Sequence, residues 1–212
     1  MERQELFVFQ IAPDIHQTSI LSSLLGLLQH VRATADRGAE VLGGVADGVR
    51  ATLGALEDAG IPCETVTGGG TGTFTYERDS GLYTEVQPGS FCLMDGDYLE
   101  NEYDDAPFER SLSVLSTVVS RPTPNRAVCD AGSKAVDLVS GPPTTTEGAF
   151  RSGGDEHGVI DLADGANPAV GDHLQLFPAH CDPAVNLHDF WVCHRGGVVE
   201  AVVPVDARGP GL

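Results

Sequence analysis

A run of glycines and threonines lies in the first half of the chain: Val66-Thr67-Gly68-Gly69-Gly70-Thr71-Gly72-Thr73. Residues 61–67 alternate and predict a short strand that enters this run, and residues 84–93 predict a second strand behind it. Upstream, apolar residues recur at intervals of three and four over residues 19–56, which predicts two helices or one broken helix ending at Gly60. The order helix, strand, glycine-rich loop, helix or turn, strand is typical of an α/β domain.

The glycine-rich run has a composition suited to binding an anion. Successive glycines allow backbone N–H groups to converge on one point, and the threonine hydroxyls add further donors. A loop that holds a phosphate at the end of a strand is one interpretation, and a flexible turn is the other. No lysine follows the run, which excludes a Walker loop, and the glycine spacing differs from that of a dinucleotide fingerprint.

The pattern changes near Ser111 to short β-branched or alternating segments punctuated by Gly, Pro and Asn, which is typical of an all-β domain. The predicted strands are residues 113–120, 127–129, 136–139, 157–162, 172–178, 189–194 and 198–205. We therefore divide the chain near Glu109 into an α/β part, residues 1–109, and a β-rich part, residues 110–212.

Charge and cysteine usage restrict the class of protein. Lys and Arg number 12 against 31 Asp and Glu, a net charge of −19, and Lys134 is the one lysine. So acidic a surface repels nucleic acid and anionic membranes, although a general solubility adaptation would also explain the charge. The five cysteines form no C-x-x-C pair, and the chain shows neither a signal peptide nor a long apolar run. We expect a cytoplasmic protein that binds neither nucleic acid nor membrane.

A candidate metal site lies in the segment Phe177-Pro178-Ala179-His180-Cys181-Asp182-Pro183. In an extended segment His180 and Asp182 would point to the same side, and Cys181 would point to the other. An imidazole nitrogen and a carboxylate oxygen together suit Mn²⁺ or Mg²⁺. An ordinary polar loop before Pro183 is the alternative interpretation.

Lys134 ends the segment Cys129-Asp130-Ala131-Gly132-Ser133-Lys134. A lysine amine can form a Schiff base with a carbonyl group. We favour the simpler interpretation, a turn that carries a surface lysine.

Five stretches in this order resemble the pyridoxal-phosphate family that contains D-threonine aldolase and the eukaryotic-type D-serine dehydratases. They are Thr67–Thr73, Thr84–Phe91 with Asp95 and Tyr98 behind it, Ser116–Pro122, Asp130–Lys134 and His180–Asp189. Their order and spacing are those of the family's second half. The resemblance implies an alanine-racemase-like fold of class α/β plus β. Residues 1–109 would be a partial (β/α)₈ barrel remnant with its late strands and phosphate loop, and residues 110–212 a C-terminal β domain with the metal-binding motif.

The same resemblance implies functional residues. Thr67, Gly69, Gly70 and Thr71 would hold the phosphate of pyridoxal 5'-phosphate. His180 and Asp182 would bind a divalent metal, Mn²⁺ or similar, in the H-x-D form that D-threonine aldolases use where typical D-serine dehydratases have H-x-C.

The implied reaction is the cleavage of D-3-hydroxy-amino acids to glycine and an aldehyde. The family's Schiff-base lysine lies on the first barrel strand, and Lys134 does not match it. We therefore expect an incomplete chain with no catalytic residue of its own.

Three alternatives remain open on the sequence. The chain could belong to a D-serine or D-3-hydroxyaspartate dehydratase, or be a non-catalytic fragment or partner subunit, or be a metal- or phosphate-binding module without pyridoxal chemistry. The expected partners are a small D-3-hydroxy-amino acid and either a second copy of the chain, as a homodimer, or a completing chain.

Overall fold

The computed structural model describes residues 35–101 and 108–209. The chain divides into two compact units, Met1–Phe91 and Cys92–Leu212. The division therefore comes earlier than the one predicted near Glu109. The reason lies in the segment after Phe91, where the N–H groups of Gly96 and Asp97 donate to carbonyl groups of residues 178 and 179, at 3.2 and 3.0 Å. These bonds join the segment to the second unit.

The first described element is the helix α1, Ala35–Asp58. It is continuous through several glycines, because burial of an amphipathic face that includes Leu42 and Val49 stabilises a helix beyond its intrinsic propensity. The helix ends at Asp58, two residues before the predicted end at Gly60, which has a left-handed φ of +71° in the turn that follows. Residues 19–34 of the predicted helical region lie outside the described residues.

The glycine-rich run lies in a small β-α-β arrangement. Strand β1, Thr67–Gly68, pairs in parallel with strand β2, Glu85–Val86, and helix α2, Phe74–Ser80, connects them. Both strands are shorter than predicted, but their order around the glycine-rich loop is the predicted α/β order.

The second unit is built on a six-stranded antiparallel sheet with the strand order β5-β6-β7-β4-β3-β8. The strands are β3 Val114–Thr123, β4 Arg126–Cys129, β5 Thr144–Thr145, β6 Gly148–Ser152, β7 Gly158–Leu162 and β8 His173–Leu176. Thr144 and Phe177 exchange two backbone hydrogen bonds of 2.9 and 2.8 Å, so the two edges of the sheet meet and it nearly closes on itself.

The core of this unit consists of buried apolar side chains from the sheet and its loops. They are Val114, Val118, Ala127, Cys129, Ala131, Val136, Phe150, Ile160, Leu174 and Leu176. The predicted β-rich character of the second part is confirmed.

Two local predictions in this unit were wrong. Strands β5 and β6 were not predicted, and residues 136–139 form no strand. The Asp137 carboxylate accepts hydrogen bonds from the N–H groups of Val139 and Ser140, at 2.9 and 3.1 Å. These bonds fold the backbone into a turn, because an aspartate side chain competes with sheet partners for nearby N–H groups.

The last elements are a short helix and a hairpin. Helix α3 is Cys181–Asn186, and strands β9, Phe190–Arg195, and β10, Val198–Pro204, form a separate two-stranded antiparallel sheet. Most apolar side chains of this hairpin are exposed. No helix in the described part of the chain is long and apolar enough to cross a membrane.

Candidate functional site

The glycine-rich loop leaves β1 and turns sharply into α2. Gly69 has φ +77°, a conformation that glycine adopts without a steric penalty. The N–H groups of Thr73 and Phe74 both donate to the Gly70 carbonyl, at 3.1 and 2.9 Å, which closes the turn. The Gln87 N–H donates to the Gly68 and Gly69 carbonyls, at 3.1 and 3.0 Å. The loop backbone is therefore anchored by its carbonyl groups.

Most hydrogen-bond donors of this loop have no acceptor in the described part of the chain. The hydroxyl oxygens of Thr71 and Thr73 are buried and have no hydrogen-bond partner. Within residues 35–101 and 108–209, the backbone N–H groups of residues 69–72 donate no hydrogen bond. Leaving a buried polar group unpaired costs about 1–3 kcal/mol, so a ligand that accepts these bonds would be stabilised here. An anion the size of a phosphate suits that set of donors.

Thr67 differs from the other residues predicted to hold a phosphate. Its side chain is buried, and its hydroxyl donates to Glu85 Oε1 at 3.1 Å. The hydroxyl is therefore already engaged across the β1–β2 pair.

Glu77 is a buried acid beneath the loop, only 4% exposed. A Cβ atom added at Gly69 would lie 2.8 Å from the Glu77 carboxyl carbon, so this side chain packs directly against the loop backbone. Burial raises the pKa of Glu77, and the backbone and the nearby Thr73 hydroxyl oppose that shift only in part. Because a raised pKa favours the neutral acid, Glu77 repels an anion in the loop less than an ordinary glutamate would.

His180 lies immediately before α3 and is held by a buried aspartate. Its Nδ1 is 2.8 Å from Oδ2 of Asp95, whose side chain is 0% exposed. The Cys181 N–H donates to the same oxygen at 2.9 Å, and the Tyr98 N–H donates to Asp95 Oδ1 at 3.0 Å. Burial acts to raise the pKa of Asp95, but the bonds from His180, Tyr98 and Cys181 outweigh it and hold that pKa below its usual value.

The predicted extended geometry after His180 was wrong. His180 itself is extended, with φ −131° and ψ +133°, but α3 begins at Cys181 and Asp182 lies exposed in its first turn. Cys181, expected to point away, is buried, with its sulfur within 4.8 Å of the potential ligand atoms of Asp95 and His180. The Cys181 N–H bond to Asp95 accounts for this turn of the chain.

Asp182 nevertheless acts on His180. The hydrogen bond to Asp95 raises the pKa of His180 most, burial opposes the shift, and the charges of Asp95, Asp182 and Asp97 raise it further. The ligand atoms that the structure brings within 4.8 Å of one another belong to Asp95, His180 and Cys181, and Asp182 is not among them. These three residues offer a mixed donor set of nitrogen, hard oxygen and soft sulfur. Asp182 therefore lies near enough to His180 to add negative charge there, and the predicted pair His180–Asp182 stays a prediction.

Lys134 lies in a turn, exposed to solvent, and its amine forms an ion pair with Glu156. The hydrogen bond to Glu156 raises the pKa of Lys134. The favoured interpretation, a turn with a surface lysine, agrees with this placement.

Sequence reasoning assigned no role to Asp95 or Glu77, although both are buried and touch a predicted site. Asp95 lies far from His180 along the chain, so no local spacing links the two residues. Glu77 follows the glycine run by one helical turn, and its only signal is an acid inside a predicted helix or turn.

Comparison with known proteins relates this geometry to a family. Residues 111–194, which include His180 and Asp182, match the family model described as "Putative serine dehydratase domain". The chain is 43% identical over 194 residues to a D-threonine aldolase of Arthrobacter sp, covering 89% of this chain and 51% of that relative. It is 40% identical over 195 residues to a 3-hydroxy-D-aspartate aldolase of Paracoccus denitrificans (strain Pd 1222), covering 88% of this chain and 50% of that relative.

The fold gives the same relationship. The crystal structure of D-threonine aldolase from Filomicrobium marinum is similar with a TM-score of 0.79 and 39% sequence identity, covering 85% of this chain and 51% of that one. The chain thus spans about half the length of the relatives that it matches. Over most of its length the chain is similar to D-threonine aldolases and 3-hydroxy-D-aspartate aldolases, and residues 111–194 match the serine dehydratase domain.

Proposed function

We propose that this chain supplies the phosphate loop and the metal ligands of an enzyme that cleaves D-3-hydroxy-amino acids to glycine and an aldehyde. The observation that carries the proposal is the 43% identity to a D-threonine aldolase over 89% of the chain. The aldolase form of the ligand pair, His180 and Asp182, lies inside the matched region and supports it.

The glycine-rich loop fits the phosphate of pyridoxal 5'-phosphate. Its unpaired N–H groups and the partnerless Thr71 and Thr73 hydroxyls form the donor set that a phosphate accepts. Gly69 and Gly70 let the backbone approach the anion, while Thr67 supports the loop through Glu85. When bound, pyridoxal phosphate supplies an electron sink for the charge left by breaking the Cα–Cβ bond.

The second unit would hold a divalent cation such as Mn²⁺ between His180 and Asp182. A cation at such a pair supplies Lewis-acid polarisation of an oxygen, for which the hydroxyl of a 3-hydroxy-amino acid is the natural candidate. His180 contributes a neutral nitrogen, and Asp182 contributes negative charge that partly neutralises the cation.

The units themselves we assign to the two parts of an alanine-racemase-like protein. The α/β segment with β1, α2 and β2 would be the late part of a (β/α)₈ barrel, and the six-stranded unit would be its C-terminal β domain. The reactive lysine would come from polypeptide that this chain does not include, whether from a completing chain or from a longer form of the protein. Association with that part, or as a homodimer, follows from the same assignment.

A dehydratase is the second candidate. Two observations favour it: the match to the serine dehydratase domain and the Cys181 sulfur near His180, because the resemblance associates a cysteine ligand with D-serine dehydratases. The residue at the matching ligand position is Asp182, so we rank the aldolase first.

The test joins metal binding to activity. Calorimetry with Mn²⁺ on the 212-residue chain should show binding that His180→Ala and Asp182→Ala each weaken strongly, while Asp164→Ala, another exposed acid, leaves it unchanged. Equal affinity in all four proteins would exclude the ligand pair.

Activity is then measured by complementation. The chain is co-expressed with the part of the Arthrobacter relative that it does not match, and acetaldehyde release from D-threonine is assayed. Pyruvate from D-serine, in place of acetaldehyde, would favour the dehydratase.

A further inference from the structure

The carboxylate of Asp95 is wholly buried, and its two oxygens contact the His180 ring and two backbone N–H groups. Its Oδ2 lies 2.8 Å from His180 Nδ1 and accepts the Cys181 N–H at 2.9 Å, while its Oδ1 accepts the Tyr98 N–H at 3.0 Å. Two backbone groups thus fix the plane of the carboxylate, and the third contact fixes the imidazole.

We propose that Asp95 is a positioning residue that holds His180 in the Nδ1–H tautomer, so that the Nε2 lone pair is presented to a divalent cation. This inference rests on the proposed metal-binding role of His180. An ionised carboxylate only accepts hydrogen bonds, so Nδ1 must carry the proton. In a neutral imidazole the remaining lone pair is then on Nε2. Orientation of a metal-binding histidine by a carboxylate in this way tunes metal affinity.

The surroundings of Asp95 hold it in place. Met94, just before it, is fully buried and has φ +54°, a left-handed conformation that is costly for a side chain with a Cβ. The Tyr98 ring meets the His180 ring edge-on, with centroids 5.8 Å apart and an angle of 66° between planes. The ring contact restricts the imidazole, and the strained backbone at Met94 persists because the surrounding packing holds it.

A purely structural role for Asp95 predicts something different. Its bonds to the N–H groups of Tyr98 and Cys181 would tie two segments of the second unit together whatever the state of His180. Loss of such ties changes stability, but it does not select which imidazole nitrogen carries the proton. The tautomer is therefore the measurement that separates the two roles.

The experiment uses the 212-residue chain with ¹⁵N-labelled histidine and no added metal. Long-range ¹H–¹⁵N spectra at alkaline pH, where the imidazole is neutral, should show His180 as the Nδ1–H tautomer. In Asp95→Asn the amide can turn its NH₂ group toward the ring, so the Nε2–H form should become populated. Asp97→Asn is the matched control: it removes a carboxylate whose charge acts on His180 and leaves the Asp95 bond intact.

Calorimetry with Mn²⁺ gives the second readout. Asp95→Asn should weaken Mn²⁺ binding by about 10–100-fold, the range seen when such a supporting partner is lost, and Asp97→Asn should weaken it far less. Unchanged tautomer and affinity in a folded Asp95→Asn protein would overturn the proposal. If that variant does not fold, the unmodified chain still decides, because a dominant Nε2–H tautomer in it is incompatible with the proposed role.

The metal-binding role of His180 and the positioning role of Asp95 are tested by different variants. If His180→Ala binds Mn²⁺ as well as the unmodified chain does, the metal function of His180 is wrong, and the tautomer measurement still tests Asp95. If His180→Ala loses binding while Asp95→Asn keeps both affinity and tautomer, only the positioning role is wrong.

Discussion

Thr71 and Thr67 are both buried threonines of the glycine-rich loop, yet only the Thr67 hydroxyl has a hydrogen-bond partner. Thr67 donates to Glu85, whereas the Thr71 oxygen has no partner. Replacing an unpaired buried hydroxyl with a methyl group removes a desolvation penalty, and removing a paired one loses a bond worth about 0.5–1.5 kcal/mol. Replacing threonine with valine at the two positions should therefore change the free energy of unfolding in opposite directions.

We expect Thr71→Val to leave the free energy of unfolding unchanged or to increase it, and to weaken binding of inorganic phosphate or pyridoxal phosphate. Thr67→Val should instead lower the stability by roughly 0.5–1.5 kcal/mol. Urea denaturation measures the first quantity and calorimetry the second. Loss of stability in Thr71→Val would mean that its hydroxyl has a partner in solution.

Glu77 makes the stability of the chain depend on pH. Below its ordinary pKa of 4.5 the side chain is protonated in both the folded and the unfolded chain, and its contribution is fully present. Because burial raises the pKa in the folded chain, the unfolded chain loses its proton first as the pH rises. Stability is therefore lost from about pH 4.5 upward until the folded pKa is passed.

Glu77→Gln cannot ionise and should lack this loss. The stability of the variant relative to the unmodified chain should rise with pH above that value, as measured by urea denaturation over a pH series. Parallel curves for the two proteins would show that Glu77 has an ordinary pKa.

At the scale of elements, local pattern predicted the strands whose apolar faces are regular and failed elsewhere. β3, β4, β7, β8, β9 and β10 all lie within or close to predicted segments, since alternation or β-branched runs mark them. β5 and β6, by contrast, are rich in Thr, Gly and Ser and have no apolar alternation, so only their sheet partners specify them. The segment of α3 was predicted to be extended from the two-residue spacing of His180 and Asp182, and that spacing does not reveal the helix. Pro183 lies in the first turn of α3, a position that tolerates proline.

The candidate site divides in the same way. His180, Asp182 and the glycine-rich loop are contiguous in sequence and could be singled out from motif and resemblance. Asp95 contacts His180 only because the second unit folds as it does. The absence of a hydrogen-bond partner for the Thr71 hydroxyl can be recognised only from the structure. Local spacing contains neither kind of information.

Substitution of Asp137 tests whether its side chain stabilises the turn at residues 137–140. Its carboxylate accepts two backbone N–H groups, and its side chain is buried. Asp137→Ala leaves those groups without their acceptor, so it should lower the free energy of unfolding by roughly 1–3 kcal/mol. Asp164→Ala, at an exposed aspartate, should stay within about 0.5 kcal/mol. Equal stability of the two variants in urea denaturation would contradict the role given to the turn.

For the whole molecule, the proposal that the reactive lysine comes from other polypeptide predicts that the 212-residue chain has no aldolase activity alone. With pyridoxal phosphate and Mn²⁺ added, acetaldehyde release from D-threonine should not exceed that of the free cofactor and metal. Forming a covalent link to the cofactor requires an amine, and the one lysine of the chain, Lys134, is exposed and paired with Glu156. Lys134→Ala should therefore behave as the unmodified chain does. Activity above background that disappears in this variant would assign Lys134 the catalytic role.

The β9–β10 hairpin affects how molecules of this chain behave toward one another in solution. Val192 and Val202 are directly paired across the two strands, so they share one face, and they are 60% and 62% exposed. Exposed apolar area favours self-association, whereas a net charge of −19 drives the molecules apart. Salt shortens the range of that repulsion and leaves the apolar attraction in place. Light scattering should therefore report association that grows with ionic strength, and Val192→Thr with Val202→Thr should shift its onset to higher salt.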